Sequence, residues 1–195
     1  MKMIEIININ KSFSNNKIIS NASYKFPSNG LVRIDGINGS GKSTLLSILA
    51  GIIKPDSGKI IYKEKKLYVP EKCPIYGFIK GYEYINLIES LQPCSPQTKN
   101  DLINGFKLRE FMNVRFSDMS LGTAKKFMLV TALMYLDILL VLDEPTNGLD
   151  QDSIKYLISI LMKIKDRNLI IFASHDLKFN NIIDPNTISI TYFKR

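Results

Sequence analysis

The run Gly36-Ile37-Asn38-Gly39-Ser40-Gly41-Lys42-Ser43 limits the fold more than any other stretch of this chain, because it matches G-x-x-x-x-G-K-[ST] in a particular local setting. The apolar segment Leu31 to Asp35 before it reads as a strand. After it, Leu45, Leu46, Ile48 and Leu49 recur at helical spacing up to Gly51, a residue that suits a helix stop. A strand that turns through glycines into a helix makes an anion cradle. The glycines let successive N–H groups curl into a nest, and the helix start adds its positive dipole end. Lys42 offers a point charge to β- and γ-phosphates and Ser43 a hydroxyl for Mg²⁺, so Gly36, Asn38, Gly39, Ser40, Gly41, Lys42, Ser43 and Thr44 form the expected phosphate-binding set. A glycine-rich turn that merely caps a helix is the weaker reading.

Around this loop, strand-like and helix-like segments alternate. Met3 to Ile9 and Ala22 to Phe26 read as strands flanking a turn at Ser14 to Lys17, and strands resume at Lys59 to Tyr62 and Leu67 to Val69. From Glu71 to Asp118 the spacing of Tyr84, Ile85, Ile88 and Leu91 turns helical, and residues 72–118 are expected to be a helical subdomain inserted in a single domain spanning 1–195. Beyond it come a helix at Leu121 to Tyr135, a strand at Ile138 to Leu142, a helix at Gln151 to Lys165 and a strand at Leu169 to Ala173. A short helix and a last strand at Thr187 to Tyr192 follow. Continuous apolar strands alternating with helices imply an α/β fold whose mostly parallel sheet is covered on both faces, with an antiparallel β part at the N-terminus.

A phosphate cradle needs a metal-holding carboxylate, best supplied from the end of a buried strand. Ile138-Leu139-Leu140-Val141-Leu142-Asp143-Glu144 has that form. Asp143 is placed to hold Mg²⁺ through its water shell, and Glu144 to be the base that orients an attacking water. Two acids at a strand end are by themselves an ordinary solvated turn, and only the phosphate loop raises them to a site.

Composition excludes several classes. The apolar stretch Phe127 to Leu142 is about sixteen residues and contains Asp137, short of the roughly twenty that a spanning helix needs. The start, Met1 to Asn10, lacks a secretory pattern, so a cytoplasmic location is expected. Cys73 and Cys94 have no metal-ligand spacing and read as free thiols. Net charge is +8, but the 26 basic residues are scattered and comprise 21 lysines against 5 arginines, which fits a compositional bias toward lysine better than a nucleic-acid surface.

Asp143-Glu144-Pro145-Thr146-Asn147-Gly148-Leu149-Asp150 resembles the Walker B and D-loop run of ATP-binding cassette (ABC) ATPases. The resemblance extends over essentially the whole chain. It implies ATP and Mg²⁺ as ligands and adds Asp150 to the nucleotide-binding residues. It makes Ser120 and Gly122 the signature residues, His175 (the only histidine) the switch residue that contacts the γ-phosphate, Phe13 the aromatic stacked on adenine, and Glu71 a further metal ligand at the Q-loop position. For Phe13, ordinary core packing remains an equal alternative.

Two positions depart from the family's pattern. Met119-Ser120-Leu121-Gly122-Thr123 stands where Leu-Ser-Gly-Gly-Gln is usual, and Glu71 replaces a glutamine. Both are similar to ABC-2-like exporters. The resemblance therefore implies an ATP-hydrolysing subunit that pairs head to tail with a second cassette and powers a separate membrane-spanning permease, peripheral on the inner face of the membrane. Two rivals stay open: a soluble ABC-type ATPase acting on nucleic acid or ribosomes, and an ATP-binding regulatory or immunity subunit with weak turnover.

Overall fold

The computed structural model describes residues 4–62, 65–91 and 94–194. Two sheets build the framework. An antiparallel sheet has the order β2-β1-β4, from β1 (Ile4–Phe13), β2 (Asn16–Phe26) and β4 (Ser57–Ile61). A parallel sheet has the order β5-β6-β7-β3-β8, from β3 (Gly30–Asp35), β5 (Lys65–Val69), β6 (Ile138–Asp143), β7 (Leu169–Ala173) and β8 (Asn186–Ser189). The helices are α1 (Lys42–Ala50), α2 (Gly81–Leu91), α3 (Pro96–Gly105), α4 (Leu121–Leu133), α5 (Gln151–Ile164) and α6 (Leu177–Ile183). This is the α/β architecture expected from the alternating pattern.

Side chains alternate across a strand, and the two cores follow from that. Leu139 and Val141 of β6, with Leu169 and Ile171 of β7, face α1 and the antiparallel sheet. Leu140 and Leu142, with Ile170 and Phe172, face α4, α5 and α6. A sheet so covered needs apolar residues on both faces, as in β6, where Ile138 to Leu142 are all apolar and buried and only the terminal Asp143 is charged.

Some elements differ from the sequence expectation for identifiable reasons. The strand expected over Ala22 to Phe26 begins already at Asn16, because Phe13 pairs with Asn16 and the turn shrinks to Ser14-Asn15, with Ser14 at φ 52°. Met3, expected to open the first strand, lies outside the described residues. The strand expected over Thr187 to Tyr192 stops at Ser189, and residues Ile190–Lys194 form a 3-10 helix. β8 runs beside β3 only until Asp35 faces Ser189; the glycine loop then turns away, and no partner strand remains. The apolar residues of that segment serve packing instead: Ile190 lies against Gly36, and Phe193 is fully buried. Between β5 and α4 the chain forms α2, α3 and two 3-10 turns, at Arg109–Phe111 and Phe116–Asp118.

Candidate nucleotide site

Three neighbouring parallel strands deliver the chemistry to one edge of the sheet. The glycine loop follows β3, Asp143 ends β6 opposite Ala173 of β7, and His175 lies two residues beyond β7. Carboxyl ends of adjacent parallel strands are where open α/β sheets bind ligands. A cleft of about 520 Å³ opens there, lined by Asn38, Gly39, Gly41, Lys42, Ser43 and Thr44 of the loop and helix start. Glu71, Asp143, Glu144, Asn147, His175 and the apolar Ile18 complete the lining.

Gly41 caps α1 in the left-handed region at φ 98°, and a Cβ there would overlap Ile18, so the loop needs glycine for both conformation and space. Lys42 is nearly buried. Its ammonium donates to the carbonyls of Gly36 (2.8 Å) and Ile37 (3.0 Å) and lies 3.1 Å from Nε2 of His175. With Nε2 accepting, the ring proton of His175 sits on Nδ1. The hydroxyl of Ser40 is buried in the loop without a hydrogen-bond partner. An unpartnered buried donor inside a ring of backbone N–H groups suits an anion with several oxygens.

Asp143 is buried, and burial pushes its carboxyl above the usual range, opposed by a hydrogen bond from Ser43. Burial likewise raises Glu144, opposed by the backbone N–H of His175, which donates to Oε2 at 3.1 Å. Oε1 of Glu144 lies 3.6 Å from Nε2 of His175. Glu144 holds φ 45°, a conformation that costs a non-glycine residue energy, and its N–H donates to Ala173 O. Asn147 donates to Oε1 of Glu71 (3.3 Å), which draws Glu71 to the cleft.

The set Ser43, Asp143 and Glu71 offers oxygen donors only, as Mg²⁺ prefers. Among the described residues no group of three or more His, Cys, Asp and Glu side chains could hold a metal alone. It is the all-oxygen chemistry of Ser43, Asp143 and Glu71 that suits the ion, with water and phosphate oxygens to complete its shell.

The remaining expected residues lie outside this cleft. Phe13 is 47% exposed, with the Lys11 ammonium 5.2 Å from its ring centre, so core packing does not account for it. Ser120 caps α4, accepting from the N–H of Thr123, and Gly122 packs against Gly148. Asp150 caps α5 and pairs with Lys126 at 2.6 Å, which together hold its carboxyl well below the usual range. Three residues of the site were not singled out from the sequence. Ile18 lies on β2 and Asn147 within the acidic run, while Lys125 on α4 reaches the site from beneath.

Comparison with known proteins agrees with this geometry. The family model described as ABC transporter matches residues 19–147. The zinc import ATP-binding protein ZnuC of Buchnera aphidicola subsp. Schizaphis graminum is 32% identical over 187 residues, covering 92% of this chain and 76% of that protein. The lantibiotic transport ATP-binding protein SrtF of Streptococcus pyogenes is 29% identical over 185 residues, covering 90% and 81%. The dimeric structure of the bacterial ABC transporter cassette MJ0796 superposes with a TM-score of 0.83 at 18% identity, covering 96% of this chain and 94% of that one, which shows the shared fold. A family model spanning most of the chain and a relative at 32% identity, together with a phosphate loop beside two strand-end acids, settle the matter: this chain belongs to the ABC transporter family of ATPases, as an ATP-binding subunit.

Proposed function

We propose that the chain hydrolyses ATP as one half of a head-to-tail pair of cassettes and thereby drives a separate membrane-spanning exporter. The observation that carries this reading is the convergence of Lys42, Asp143, Glu144 and His175 at the carboxyl ends of β3, β6 and β7.

Each residue has work that its position supports. Lys42, held by the carbonyls of its own loop, exchanges them for the β- and γ-phosphate oxygens of ATP. Ser43, Asp143 and Glu71 would hold Mg²⁺, which would supply charge neutralisation to those phosphates when bound. Glu144, whose carboxyl is raised by burial, orients a water in line with the γ-phosphate and takes its proton. His175, tethered through its backbone to Glu144, faces the γ-phosphate with its ring. The exposed ring of Phe13 stacks on adenine. Ser120 and Gly122 at the start of α4 present a helix N-terminus to the partner's nucleotide, and Asp150 anchors the adjoining loop.

No helix among the described residues is long and apolar enough to cross a membrane. A groove of about 590 Å³, lined by Tyr68, Pro70, Ile75, Tyr76 and Leu87, supports docking on a permease at the membrane's inner face. Beside it the exposed rings of Tyr76 and Phe78 stack at 5.7 Å. Export, rather than import, rests on the Ser120-Leu121-Gly122 signature and on Glu71; the named relatives include both a zinc import and a lantibiotic transport protein.

The test is ATP turnover by the purified chain, followed by fractionation of cells expressing it with and without its candidate permease. Magnesium-dependent hydrolysis and recovery with membranes only when the permease is present support the proposal. Absence of hydrolysis in both settings, or co-sedimentation with ribosomes instead, would overturn it.

A further inference from the structure

Lys125 lies on α4 less than one turn beyond Gly122, at a position to which the sequence assigns no role, yet its side chain is among the most deeply buried charges of the described residues at 2% exposure. The pairing of β5 with β6 ends where Val69 faces Leu142. Pro70 has no N–H with which to continue the ladder. At that point the ammonium of Lys125 enters from beneath, donating to Pro70 O (2.7 Å), Asp143 O (3.0 Å) and, more weakly, Glu71 O (3.4 Å). Its three N–H groups thus meet carbonyls from two strand ends. We infer that Lys125 is a positioning residue that sets the separation of the Glu71 and Asp143 side chains by bolting their backbones together.

The alternative anchors are few. Asn147 holds Glu71 by a single 3.3 Å bond from another loop. Burial pulls the Lys125 ammonium down to about 8, against the pull of Asp143 and Glu71, so the chain bears a cost to keep a charge where an apolar residue would pack. The neighbouring Lys126 pairs with Asp150 at the surface, so the two lysines are not interchangeable. The inference rests on the proposed ATPase reading, since Glu71 and Asp143 matter as a pair only if they hold the ion that accompanies ATP.

Comparison of Lys125→Gln with Lys125→Met separates hydrogen bonding from charge. Both remove the charge, but only Gln keeps donors for the carbonyls. Groups that hold a metal's ligands in place are worth about ten-fold in metal affinity. We expect Lys125→Met to need about ten-fold more Mg²⁺ than Lys125→Gln for half-maximal binding of a fluorescent ATP analogue, with equal affinity when metal is absent. In the ligand-free proteins, amide hydrogen exchange over residues 71–76 should be about three-fold faster in Lys125→Met. Equal magnesium dependence and equal exchange in the two variants would overturn the inference while leaving the ATPase reading intact. Wild-type protein that binds no nucleotide would overturn both. Should Lys125→Met not fold, exchange in Lys125→Gln against wild type decides: its amide brings two donors on a side chain one bond shorter and keeps only part of the three-carbonyl contact, so exchange should be modestly faster than in wild type, and exchange identical to wild type counts against the strut.

Discussion

Gly122, in the first turn of α4, lies so close to the carbonyl of Gly148 that a Cβ on Gly122 would overlap that oxygen. Two backbones meet there without a side chain between them. The signature end of α4 and the acidic run that ends at Asp150 are therefore interlocked within one chain, and the Lys126–Asp150 pair closes the same contact.

Gly122→Ala should destabilise the ligand-free protein, since the obstruction is backbone and cannot swing away. Overpacking of this kind costs about 2 kcal/mol, or roughly 4 to 8 °C in a domain of this size. Thermal unfolding measures it. An unchanged midpoint with lost turnover would mean that the glycine serves the partner's nucleotide and not the packing.

Glu144→Gln should keep ATP binding, stop turnover and trap an ATP-bound dimer, seen by size-exclusion chromatography with ATP and Mg²⁺. The same change should stabilise the ligand-free protein at neutral pH by about 1 kcal/mol, because it removes a carboxylate whose charged form burial disfavours. The sign follows from the raised folded-state value: ionised Glu144 costs stability above it, and protonated Glu144 costs none below the unfolded value of 4.5. The advantage of Gln should thus be full above the raised value and vanish as pH falls through that window. Unfolding curves of both proteins across acidic pH provide the check, and a constant difference would count against a desolvated carboxyl.

Lys42→Ala should weaken nucleotide binding itself. Hydrogen bonds from an ammonium to charged oxygens contribute about 2 kcal/mol, or roughly thirty-fold in affinity. Isothermal titration with a non-hydrolysable ATP analogue reads this directly. Wild-type affinity in the variant would remove the loop from the phosphate site.

Phe13→Ala should leave thermal stability unchanged, because half of the ring is exposed and it belongs to neither core. Loss of base stacking is worth about 1 to 3 kcal/mol, so affinity for ATP should fall while affinity for inorganic triphosphate stays the same. A parallel fall for both ligands would show that the ring acts on the loop and not on the base.

What the sequence determined on its own is everything local. The phosphate loop was legible because glycines, a preceding apolar strand and a following helical pattern lie within about twenty consecutive residues, and β6 because a strand buried on both faces must be apolar throughout. Only the tertiary structure decided matters that depend on which segment runs beside which. Thr187 to Tyr192 has the composition of a strand, but β3 turns away after Asp35 and leaves it nothing to pair with. Phe13 reads equally as core or as platform until the sheet carries it to the surface. Lys125 and Lys126 are adjacent and chemically alike, yet about 100° apart around α4. The packing of that helix beneath the ends of β5 and β6 sends one ammonium to buried carbonyls and the other to Asp150. No local pattern distinguishes two neighbouring lysines; the distinction comes from carbonyl groups that lie 55 and 18 residues away in the chain and meet only in the folded molecule.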